Sequence, residues 1–173
     1  FGDYDPFGMI YVPYDDAKKV LAGEMDPKPF ILTVNSGECV ELTLTNMMPK
    51  KLDVPQFPEV PVKAPWPYSS RVSMHSQFAQ YDSLGSDGAT VGYNPDQTIG
   101  VGESITYRWY YSDLVNQALL FDFGDVMNHR KHGLFGAISA VEQNAIHRNS
   151  FTGENTSIGE QLDIINQYNP NYR

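Results

Sequence analysis

Five stretches of this chain alternate apolar and polar residues with a period of two: Phe30–Val34, Val40–Asn46, Arg71–His75, Ser104–Tyr110 and Leu134–Val141. Successive side chains of a strand point to opposite faces, so each stretch predicts a β-strand with one buried side. In Ser104–Tyr110 the residues Ile105, Tyr107 and Trp109 share one face, and Thr106 and Arg108 share the other. The intervening segments are rich in Gly, Pro, Asn and Asp, which turn the chain rather than continue a ladder. Two sheets burying these stripes against each other make an all-β sandwich the expected fold.

Departures from the alternation are few. Asp15–Gly23 places two acidic residues at a helix start, good helix formers inside, and Gly23 where a left-handed cap can end it, so one short helix is expected there. A second, fainter helical pattern surrounds Leu162 and Ile165. Prolines at 49, 55, 58, 61, 65 and 67 rule out a ladder or a helix and predict a long crossover of the Greek-key kind. Beyond Val141 the chain turns polar and Asn-rich. It divides accordingly into a sandwich domain over 1–145 and a C-terminal linker or interdomain strap over 146–173. The tripeptide Asn155-Thr156-Ser157 fits the glycosylation pattern, which matters only in a eukaryotic secretory setting.

A chain of 173 residues suffices for one domain with a substantial core. Its formal charge of −9 argues against nucleic acid or an anionic membrane as partner, since both require clustered Lys and Arg. No stretch approaches the roughly 18–20 apolar residues that span a bilayer. A start at Phe1 leads us to expect something upstream, either a removed signal peptide or earlier domains. The single cysteine, Cys39, allows no internal disulfide; at the opening of a strand it is expected to be a small buried hydrophobe.

Candidate chemistry rests on four histidines: His75, His129, His132 and His147. Alternation sets His75 on the face opposite Val72 and Met74. A strand-borne His combined with a loop His far along the chain is one way in which β-proteins build metal sites. His129 and His132 have helical spacing, but Asn128 and Gly133 favour a loop, and Arg130 and Lys131 between them repel a cation. His132 is expected to orient the loop or to pack on an aromatic ring, and His147, in the polar tail, to be exposed. No local Ser-His-Asp or Cys-His arrangement is legible.

Four motifs in order resemble a cupredoxin domain of the multidomain multicopper oxidases, the group that includes bacterial manganese oxidases and ceruloplasmin-like ferroxidases. They are the strand Asn35–Asn46, the Asp87-Gly88 pair after His75, the strand Gly102–Trp109 with its Tyr-x-Trp ending, and Gly133-Leu134-Phe135-Gly136-Ala137. The resemblance implies a cupredoxin-like Greek-key β-sandwich, with one or two short helices and the polar strap. It also implies a secreted, periplasmic or cell-envelope parent that couples oxidation of metal ions or organic reductants to reduction of dioxygen, with copper as cofactor and neighbouring cupredoxin domains as partners.

In that family a mononuclear copper takes an early-strand His, a Cys within His-Cys-His and a His five residues later, with a nearby Met. Aligning Gly133 with the family's Gly-Leu puts the loop ligand at His129, the Cys position at Gly124 and the axial position at Leu134. The thiolate and both histidines flanking it are therefore absent. The His-x-His pairs that hold a trinuclear centre read His75-Ser76-Gln77 and Phe123-Gly124-Asp125. What the resemblance leaves is a vestigial pair, His75 and His129, with Asp122, Asp125 and His132 as possible metal neighbours. The leading expectation is a noncatalytic domain without bound copper, serving interdomain packing. Two alternatives stand beside it: a metal-binding module on His75 and His129, and a matrix- or carbohydrate-binding sandwich using aromatic residues such as Trp66, Tyr68, Tyr110 and Tyr111.

Overall fold

The computed structural model describes residues 5, 7–51, 68–113 and 115–166. Asp15 and Asp16 lie in the first turn of α1 (Tyr14–Leu21) and Lys18 and Lys19 in its last, an arrangement that complements the helix dipole; Ala17 is its buried residue. Gly23 takes the left-handed conformation just beyond it. Eight strands follow: β1 (Phe30–Asn35), β2 (Cys39–Thr45), β3 (His75–Ser76), β4 (Ser104–Tyr110), β5 (Gln117–Phe121), β6 (Phe135–Val141), β7 (Ala145–Asn149) and β8 (Leu162–Asn166). A 3-10 turn, His129–His132, separates β5 from β6.

Strand order in the larger sheet is β1-β6-β5-β3, with β1 parallel to β6 and the other pairs antiparallel. A second sheet pairs β2 with β4 antiparallel, setting Leu42 opposite Tyr107 and Leu44 opposite Ile105. Both sheets contribute to one apolar cluster: Phe30, Val34, Leu120 and Ile138 from the first, Tyr107 and Trp109 from the second, with Leu42 and Leu44 packed against them. Tyr107 and Trp109 stack with ring centroids 5.6 Å apart. Burying their area in one cluster is the main apolar stabilisation of the fold. The fold is thus mostly β, with one short helix, and is compatible with an all-β sandwich.

Three expectations about local structure need correction. Only His75 of the predicted strand 71–75 enters a strand; Val72 makes a single bridge to Ile99, because Ser73 N–H donates to the Asp122 carboxylate and Met74 N–H to Tyr107 Oη instead of to a neighbouring strand. Around Leu162 and Ile165 the chain forms β8, not a helix, since pairing with β7 satisfies its backbone. The polar stretch after Val141 is consequently a β-hairpin. It is tied to β1 by Thr33 N–H donating to Ser157 O (2.7 Å) and Gly159 N–H donating to Ile31 O (3.1 Å). Of the proline-rich crossover, residues 52–67 lie outside the described residues, as does the tail from 167.

Two single residues differ as well. Cys39 is exposed, because the odd positions of β2 face outward and its partner is the exposed Tyr110. His147 is buried, its ring enclosed between the hairpin and β1. Its Nε2–H donates to Asn35 Oδ1 (2.9 Å), and its Nδ1 lies 3.4 Å from Ser157 Oγ. Burial holds the His147 imidazole below its ordinary value against the opposing pull of Glu38.

Candidate functional site

The connection from β5 to β6 carries Asp122, Asp125, Asn128 and His129, and folds back on the segment Ser69–Met74 that leads into β3. Asp122 and His129 are fully buried. One carboxylate oxygen of Asp122 accepts Ser73 N–H (2.8 Å), and the other accepts both Asp125 N–H (2.8 Å) and His129 Nδ1–H (2.9 Å). At the opposite side of the ring, Nε2 lies 2.7 Å from the carbonyl oxygen of Ser69. A carbonyl can only accept, so Nε2 must carry hydrogen, while Nδ1 donates to a carboxylate already receiving two backbone N–H groups. His129 therefore needs both protons. Burial pushes its pKa down, but the bond and charge of Asp122, the Ser69 carbonyl and the charge of Asp125 outweigh it and leave the value raised.

Asp125 extends the network. Its carboxylate accepts Ser69 N–H (3.0 Å) and the Asn128 side-chain amide (2.8 and 3.0 Å). Phe123 N–H donates to Ser73 Oγ (2.9 Å), and Tyr11 Oη donates to Ser73 O (2.6 Å). Three segments distant in sequence thus converge on one buried charged pair. No buried polar side-chain atom among the described residues is left without a partner.

His75 sits on β3 in different surroundings. Its Nδ1–H donates to Asp87 O at 2.7 Å, with Asp87 Oδ1 at 3.1 Å. Tyr81 and Phe123 meet the ring edge-on at centroid distances of 6.0 and 5.0 Å. Burial, then the hydrogen bond and charge of Asp87, push the Tyr81 phenol up to about 12. Gly88, at φ 73°, lies so close to the backbone of Met74 and His75 that a Cβ would overlap Met74 O. That contact gives the Asp-Gly pair its physical reason: only glycine lets Asp87 O reach His75. Nδ1 faces these oxygens and so donates, while Nε2 has no protein partner among the described residues.

Of the predicted residues, the fold brings His129 together with Asp122 and Asp125, but through hydrogen bonds that use both of its nitrogens. His75 belongs to a separate cluster with Asp87, Tyr81 and Phe123. His132 bonds Asp5 Oδ2 (2.6 Å) and meets the Phe7 ring edge-on at 6.1 Å, orienting the loop as expected for it. At Gly124, a Cβ would fall inside contact distance of Arg71 O, Arg71 C and Val72 Cα. The space for a cysteine side chain is filled by backbone. Having neither a thiolate nor a free nitrogen on His129, these residues do not fit a blue-copper ion.

Ser69, Ser73 and Asn128 are partners that sequence reasoning missed. Serines in loops are common, and nothing in the spacing of Ser69 and Ser73 marks a carbonyl or N–H as aimed at a residue 49 to 60 positions away; Asn128, which bonds Asp125 three residues earlier, carries no signal beyond that of an ordinary loop asparagine. Asp87 was legible as part of an Asp-Gly motif without its role toward His75. Among the aromatic candidates for surface binding, Tyr111 is fully buried with its hydroxyl 2.6 Å from Ser76 Oγ, Tyr110 is exposed, and Trp66 lies outside the described residues. In comparisons with models of known protein families and with curated proteins, the chain matches none.

Proposed function

We propose that this chain is a cupredoxin-type Greek-key domain of a secreted, periplasmic or envelope multicopper oxidase, one that transfers no electrons itself and serves packing between neighbouring domains. The four ordered motifs support the family. The parallel β1–β6 pair and a second sheet of β2 and β4 support the sandwich topology. The observation that carries the noncatalytic role is the buried His129–Asp122 pair. Both nitrogens of the histidine that the resemblance assigns to copper donate instead to protein oxygens, so the loop is held by an internal charge pair where a metal would otherwise hold it. Copper and the coupling of substrate oxidation to dioxygen reduction belong, in this reading, to other domains of the parent.

The test is to titrate the protein with copper(II) and follow its absorption. No intense blue thiolate-to-copper band is expected, and such a band would overturn the proposal. A second reading, a metal-binding module, draws on one observation, that His75 Nε2 has no protein partner among the described residues. Calorimetric titration with copper(II), zinc(II) or manganese(II) decides it: the module requires stoichiometric heat that His75→Ala removes.

A further inference from the structure

The outer faces of the two sheets differ in kind. On the β2–β4 sheet, exposed polar side chains pair with one another across the strands: Thr43 with Thr106 (2.8 Å), Thr45 with Ser104 (2.8 Å) and Glu41 with Arg108 (2.5 Å). That is the polar face expected of an antiparallel sheet turned to water. The outer face of the larger sheet carries Phe121 opposite Phe135, and Leu119 opposite Ala137, which in turn faces Ile31. Leu119 is 48% exposed and Phe135 is 51% exposed.

Cationic residues border this face. The guanidinium of Arg130 lies over the Phe121 ring, 5.1 Å from its centroid, and Lys131 beside it is exposed. Neither makes an ion pair with a carboxylate among the described residues, although the chain holds 21 acidic residues against 12 Lys and Arg. Aromatic and aliphatic side chains exposed together, with an arginine over a ring, have the composition of an interface centre. Unneutralised cations at its edge select a partner with carboxylates there.

We infer that this face of the β1-β6-β5-β3 sheet docks on a neighbouring folded domain of the parent protein, whose surface offers an apolar centre bordered by Asp and Glu. The inference rests on the proposed place of the chain in a multidomain oxidase and names the face that such packing uses. Phe135 and Leu119 enter the partner's apolar centre, while Arg130 and Lys131 meet its carboxylates. The paired polar face of β2–β4 stays in water.

Hydroxyl-radical footprinting of the full-length gene product tests this, with references inside the same chain. Phe135 and Leu119 are expected to label as slowly as buried Trp109, whereas Phe151, 81% exposed, and Tyr93 label fast. The double variant Arg130→Glu/Lys131→Glu should restore fast labelling of Phe135 while Trp109 stays protected, so that unfolding is not mistaken for undocking. Fast labelling of Phe135 and Leu119 in a full-length protein that does carry copper-bearing β-sandwich domains overturns the docking face and leaves the proposed function standing. A gene product without further domains and without copper overturns the proposed function, and the docking inference with it. Protection that disappears on dilution, in step with dissociation of an oligomer, identifies a second copy as occupant and likewise overturns the inference.

Discussion

The resemblance drawn from the sequence gives His129 and His75 equivalent roles; the molecule gives them opposite ones. Around His129 every polar atom is spent: both nitrogens donate, the carboxylate of Asp122 accepts three times, and the pair is sealed from solvent. Around His75 only one nitrogen is engaged, and the side chain keeps 19% of its surface in solvent. A buried charge is tolerable only when fully paired, so the first pocket is a structural clamp. The second pocket merely orients its ring, because a nitrogen that is not sealed from solvent costs little to leave without a protein partner.

The largest effect should come from opening the clamp. Removing the imidazole in His129→Ala strands the Asp122 carboxylate in the interior, and loss of one partner of a buried pair costs about 3–5 kcal/mol. Chemical denaturation should register that loss; a cost no larger than that of His75→Ala would erase the distinction between the pockets. Next in size is Gly124→Ala, in which a methyl group forced against the Arg71–Val72 backbone is expected to cost about 1–3 kcal/mol. If Gly124→Cys were instead neutral and gave a blue copper protein, the site would be waiting for its thiolate rather than closed.

These contacts mark where sequence reading succeeds and where it stops. Strand β4 was legible residue by residue and β2 to within one residue at each end, because an inward and an outward face impose alternation on both. Strand β5 was not. Gln117-Ala118-Leu119-Leu120-Phe121 has apolar residues on both faces, the outer ones on the proposed docking surface, so the period of two vanishes. His147 was read as exposed because its neighbours are polar, yet a hairpin folds it against Asn35, and no local pattern encodes that distant contact. For the site, spacing from Gly133 singled out His129 and Gly124 as residues of interest. What each does there depends on Ser69, Arg71 and Ser73, which lie in the segment leading into β3, some 50 to 60 residues earlier in the chain.

The clamp also has a signature in pH. His129 is raised in the folded state, so its contribution is complete below the unfolded imidazole value of about 6.5 and is lost as pH rises through the higher folded value. His147 has the opposite sign: its folded value is lowered, and its contribution is present at higher pH and lost as pH falls from about 6.5 through the folded value. Thermal melts of wild type, His129→Gln and His147→Gln, taken below about pH 9 where tyrosines stay neutral, separate the two. His129→Gln should remove the alkaline decline, and His147→Gln the acidic one. An alkaline decline that survives in His129→Gln would mean that the buried pair is not charged.

The smallest effects belong to His75, and they sharpen the comparison most. The closer acceptor for Nδ1–H is the backbone carbonyl of Asp87, not its carboxylate, so Asp87→Asn should leave the ring in the same tautomer. Asp122→Asn, by contrast, should cost His129 its second proton. Nitrogen chemical shifts from long-range proton–nitrogen correlation spectra report both outcomes directly. The Asp87 carboxylate is felt instead at Tyr81: burial is the larger cause of its raised value and stays, so in Asp87→Asn the phenol should fall only part of the way from about 12 toward the ordinary tyrosine value, a shift visible in its ultraviolet titration. A tautomer change at His75 in Asp87→Asn would mean that the carboxylate orients this ring as Asp122 orients the other, and the two pockets would then differ in burial alone.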